Sequence, residues 1–92
     1  MRNAKKIAVI VRDRQIDGLR VSCGLTLLDD SVDIIVLDNV LDRQVPEIAA
    51  LLEVVSELSL HVYSNSPGNC CDTITVEEIA KKLLEYDIVV PY

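Results

Sequence analysis

Ile7-Ala8-Val9-Ile10-Val11 is apolar throughout, with no alternation of polar positions. A strand buried on both faces has this pattern, and such strands usually lie in parallel sheets. Val32-Asp33-Ile34-Ile35-Val36-Leu37 and Ile88-Val89-Val90 have the same character, while Leu60-His61-Val62-Tyr63 is shorter and alternates more. Between these runs the period changes to that of a helix. Residues 16–28 set Ile16, Leu19, Cys23 and Leu27 on one stripe, broadened by Val21, Leu25 and Leu28. From Pro46 to Leu58 the apolar positions are Ile48, Leu51, Leu52 and Val55, the spacing of a core-facing helix. Pro46 suits the first turn, where a missing N–H leaves nothing unpaired. In the third segment Val76, Ile79, Ala80, Leu83 and Leu84 form the stripe, and Thr75 with Glu78 matches a capping box.

The predicted order is β-α-β-α-β-α-β over a single domain, residues 1–92. Alternation of this kind implies a parallel sheet with right-handed crossovers and helices on both faces. Ligands of such sheets bind outside the carboxyl ends of the strands. Those ends are predicted at Arg12 to Gln15, Asp38 to Arg43, and Ser64 to Thr73.

Composition changes this picture in two ways. Half of the 92 residues are apolar, yet Phe and Trp are absent, so the core must be aliphatic. A small domain buries a modest share of its surface, and this much apolar residue predicts an outer face covered by another subunit. The net charge of −6, with the nine basic residues scattered, argues against nucleic acid or an anionic membrane as a direct partner. No apolar run approaches the roughly 18 residues that span a bilayer. The run after the basic start is five residues long, short of the roughly 7–15 of a signal segment. A cytoplasmic location is expected, where cysteines are reduced thiols rather than a disulfide framework.

The candidate chemistry centres on Ser66-Pro67-Gly68-Asn69-Cys70-Cys71-Asp72-Thr73. Adjacent cysteines close only a strained ring, so a structural disulfide is not expected there. A thiolate at this place would serve as a sulfur nucleophile, a persulfide carrier, a redox sensor or a soft-metal ligand. Cys23 lies on the first helical stripe and is expected to pack as a small hydrophobe. His61, the sole histidine, falls at the opposite end of its strand from the cysteines, too far for a Cys/His pair. Asp29, Asp30 and Asp33 precede or open the second strand, and Asp13, Asp38 and Asp42 share the carboxyl edge; all are expected to be solvated loop acids. Arg12 or Arg14 is a candidate to hold a small anion or a partner carboxylate beside the first helix. No glycine-rich phosphate loop, metal cluster or cofactor motif is present.

The succession "KKIAVIVR", "GLRVSCGLTLL", "VDIIVLDNVL", "LHVYSNSPGNCC" and "AKKLLEYDIVVPY" resembles the DsrE/DsrF/DsrH family, which includes the TusB, TusC and TusD subunits of the tRNA-thiolation sulfur relay. The resemblance spans most of the chain and rests on element order rather than on a unique motif. It implies a small flavodoxin-like three-layer α/β/α domain with a mainly parallel sheet of four to five strands. It also implies assembly into trimers, hexamers or hetero-oligomers with related small subunits. In that family some subunits carry a cysteine after the third strand that accepts and passes on persulfide sulfur. The matching positions here are Cys71, slightly favoured because it is nearer the helix, and Cys70. The loop is longer than the family's and its cysteine doubled. Other family members lack the thiol and are structural subunits. The expected function is therefore a persulfide carrier served by a sulfur donor protein. The alternatives are a non-catalytic assembly subunit and a thiol redox or metal sensor.

Overall fold

A computed structural model describes residues 5–26, 31–38, 40–66 and 72–92. The elements, in chain order, are β1 (Lys6–Val11), α1 (Gln15–Thr26), β2 (Ser31–Val36), α2 (Pro46–Glu57), β3 (His61–Ser64), β4 (Asp72–Thr73), α3 (Val76–Leu83) and β5 (Ile88–Pro91). All strand pairs are parallel, in the order β4-β3-β2-β1-β5. Four strands of four to six residues make the body of the sheet, and β4 adds two residues at one edge.

The unbroken apolar runs are explained by the two cores they face. Ile7, Val9 and Val11 alternate with Ala8 along β1, and Val32, Ile34 and Val36 alternate with Ile35 along β2. The first set packs with Leu19 of α1 and with Ile48 and Val55 of α2; the second packs with Ile79 of α3 and Tyr86. Helices thus cover both faces, and the domain is a flavodoxin-like three-layer α/β/α fold. Gly18 allows α1 to approach β1 closely. A Cβ there would lie 2.7 Å from Val11 Cγ2 and 3.3 Å from Tyr92 Cβ.

The predicted helix signals correspond to real ends. Val45 precedes α2 with Pro46 in its first turn. Thr75 caps α3, accepting from the Glu78 N–H at 3.1 Å, while the Glu78 carboxylate accepts from the Thr75 N–H. Three expectations need correction. Asp72–Thr73, expected in the loop after the third strand, pair with Tyr63 and Ser64 as the extra strand β4. The α3 stripe is narrower than its period implies: Ile79 is buried and Leu83 half-buried, but Val76, Ala80 and Leu84 are exposed. Asp33 is not a solvated loop acid. It is the third residue of β2, 7% exposed, and accepts a hydrogen bond from the buried Tyr86 hydroxyl.

Candidate functional site

Because the strands are parallel, the ends of β1, β2 and β3 emerge along one edge, and polar residues join them in a row. Asp38, two residues beyond β2, has φ 64°, a left-handed conformation that Asp tolerates better than most residues. Its backbone N–H donates to Asn65 Oδ1 at 2.8 Å, and Asn65 Nδ2 donates back to Asp38 Oδ1 at 3.0 Å. From the other side Arg12 Nη2 approaches Asp38 Oδ2 at 3.4 Å. Both charged side chains of that pair are more than half exposed, so it adds little stability. The reciprocal Asp38–Asn65 bonds are what fix how the β3 end leaves the sheet.

Ser64 holds the next part of the chain. It is fully buried, its Oγ accepts from the Ser66 N–H at 3.0 Å, and its carbonyl accepts from the Ile74 N–H at 2.8 Å. Departure at Ser66 and return at Asp72–Thr73 are therefore both tied to the carboxyl end of β3. Cys70 and Cys71 lie between these points in sequence and outside the described residues.

Tyr92 follows β5 beside the end of β1, where the strand order reverses direction. Its N–H donates to the Ile10 carbonyl at 2.7 Å, its carbonyl accepts from the Arg14 N–H at 3.0 Å, and the Arg14 guanidinium lies 5.5 Å from the ring centroid. An open cleft of about 580 Å³ lies between the first turns of α1 and α2. Its walls include Asp13, Arg14, Asp17, Arg20, Asp42 and Glu47. Arg14 pairs with Asp17 at 2.9 Å and Arg20 with Glu47 at 3.2 Å. The suggested anion site at Arg12 or Arg14 is thus occupied by the protein's own carboxylates. Asp17 and Glu47 lie in helix first turns, where negative charge is favourable.

The other sequence-derived candidates separate. Cys23 is half-buried against the first core, and burial pushes its thiol pKa up. His61 opens β3 at the amino edge, exposed and stacked on Tyr63. Among the described residues no three His, Cys, Asp or Glu side chains gather as a metal ion would require, and no helix is long and apolar enough to cross a membrane.

Sequence reasoning missed Ser64, Asn65 and the Asp33–Tyr86 pair. A signal existed for two of them. An aspartate inside an apolar run requires a buried partner, and an asparagine just past a strand end marks a turn in which its side chain bonds backbone. Compared with protein-family models, curated proteins and solved structures, the chain matches none.

Proposed function

We propose that this protein is a thiol sulfur carrier of the cytoplasm in which Cys71, or Cys70 beside it, accepts sulfane sulfur from a donor protein and passes it on. The observation supporting this reading is the place of the flanking residues. Ser66 is held at the carboxyl end of β3, and Asp72 opens β4 beside Tyr63, one residue short of that end; the segment between them leaves β3 from the edge at which such sheets bind their ligands. The resemblance to the DsrE/DsrF/DsrH family supplies the chemistry.

In the transfer, the cysteine thiolate attacks the terminal sulfur of the donor persulfide. A new S–S bond forms to the cysteine, the donor's own S–S bond breaks, and the donor leaves as a thiolate that takes up a proton. The same exchange run towards an acceptor thiol discharges the carrier, so no external oxidant or reductant is consumed. Thr75, not a cysteine, caps α3; thiolate stabilisation by a helix terminus weakens beyond the first turn.

Intact-mass spectrometry after incubation with a persulfide-bearing desulfurase tests the reading. The wild type should gain one sulfur atom, and either Cys71→Ser or Cys70→Ser should abolish the gain. Cys23, with its raised pKa, should stay unmodified. No added sulfur on either loop cysteine refutes the carrier.

A second reading, a non-catalytic subunit of an oligomer, is favoured by the exposed aliphatic residues Leu84, Ile88 and Val89. It predicts that the Cys70→Ser/Cys71→Ser double variant keeps both its native mass and any partner's activity.

A further inference from the structure

Among the described residues, the strand order leaves β5 on the outside of the sheet, paired with β1 on one side only. The Asp87 N–H donates to the Lys6 carbonyl at 2.8 Å. Backbone alternation then turns the N–H and C=O groups of Ile88 and Val90 outward. An open strand edge is a template for pairing, and proteins normally guard it with charge or proline. Neither guard operates on β5. Ile88–Pro91 carries no charge, and the missing N–H of Pro91 falls on the β1 side. There the Tyr92 N–H reaches the Ile10 carbonyl instead.

The side chains agree with the backbone. Ile88 and Val89 point to opposite faces of the sheet, yet each is 40% exposed, and Leu84 just ahead is 87% exposed. A segment whose sequence reads as buried on both faces is open on both faces and along one edge.

We propose that β5 is an assembly edge that pairs antiparallel with β5 of a second copy of this chain. An uncharged strand with aliphatic side chains on both faces complements this edge, and β5 is itself such a strand. Among the described strands only β5 offers a free edge of that kind. A two-fold axis through Val89 sets Ile88 of one copy opposite Val90 of the other. Each such pair exchanges both of its N–H···O=C bonds, with the two Val89 residues as the closer, non-hydrogen-bonded pair between them. The interface is isologous and therefore closes. The chain carries −6 overall, and the uncharged β5 lets two copies meet without setting like charges directly opposite.

Light scattering on the full chain, read across a concentration series, tests this pairing. The wild type should show at least twice its 10.2 kDa monomer mass. Val89→Lys places two ammonium groups on the axis and should halve that mass. Val40→Lys, at an exposed position in the loop after β2, should leave it unchanged. Should Val89→Lys fail to fold by circular dichroism, amide exchange on the wild type decides. The Ile88 and Val90 amides should slow as concentration rises, while Asp87 and Val89 stay protected throughout. A monomer mass at every concentration overturns the proposal. So does a folded Val89→Lys that keeps the wild-type mass, or exchange at Ile88 and Val90 that ignores concentration.

Discussion

Replacing Tyr86 with phenylalanine removes one hydroxyl and almost no volume, so it isolates what Asp33 draws from its partner. Both residues are below one-tenth exposed, on the face of the sheet covered by α3, and the phenol donates directly to the Asp33 carboxylate. Hydrogen bonds to charged groups contribute about 1.5–3 kcal/mol, and a buried acceptor left without its donor adds its desolvation cost. Lys6 and Lys82 lie 5.2 and 5.8 Å from the Tyr86 ring centroid and remain in the variant, which limits the loss. Tyr86→Phe should therefore destabilise the fold by about 2–3 kcal/mol, a large fraction of the roughly 5–14 kcal/mol expected of a domain this size. Asp33→Val orphans the phenol instead and should cost about 1–2 kcal/mol. The double variant should be more stable than the summed losses imply, since an apolar pair leaves neither group unsatisfied.

Urea unfolding followed by circular dichroism measures all three variants against the wild type. The pH dependence gives an independent check. Burial, then the hydrogen bond and charge of Asp33, push ionisation of the phenol well above its ordinary pH of 10.0. The stabilisation is complete below about pH 10 and is lost as pH rises from there towards the folded-state value. Tyr86→Phe should lack this alkaline limb. A Tyr86→Phe midpoint within error of wild type, with additive losses in the double variant, would refute the reasoning.

The two glycines of α1 should respond in opposite directions. Gly18→Ala forces a methyl against Val11 and should cost about 1–3 kcal/mol. Gly24→Ala meets nothing within 4 Å and should add about 0.5–1 kcal/mol; both are readable as melting-temperature shifts. Ser59 follows α2 with φ 57°, the left-handed position where glycine ends helices, so Ser59→Gly should raise the melting temperature. Thr75→Ala deletes the cap of α3 and should cost about 1 kcal/mol by urea unfolding, with Thr75→Ser recovering most of it.

Periodicity in the sequence determined the elements of this fold. Uninterrupted aliphatic runs specify strands with a core on each side, and the spacing of Ile48, Leu51, Leu52 and Val55 specifies a helix against one of them. The Thr75–Glu78 box needed only local chain geometry and was legible for that reason. The carboxyl edge followed from parallel order, and with it the place of Ser66 beyond the end of β3. Tertiary structure decided what depends on contacts distant in sequence. The partner of Asp33 is 53 residues away, and that of Asp38 is 27, distances across which no local pattern operates. It also decided which apolar residues stay uncovered. Val90 and Ile88 share one aliphatic run, but only their place at the end of the strand order leaves an edge of β5 open. A strand's sequence specifies which faces need covering; the number of its neighbours is set by where the chain puts it.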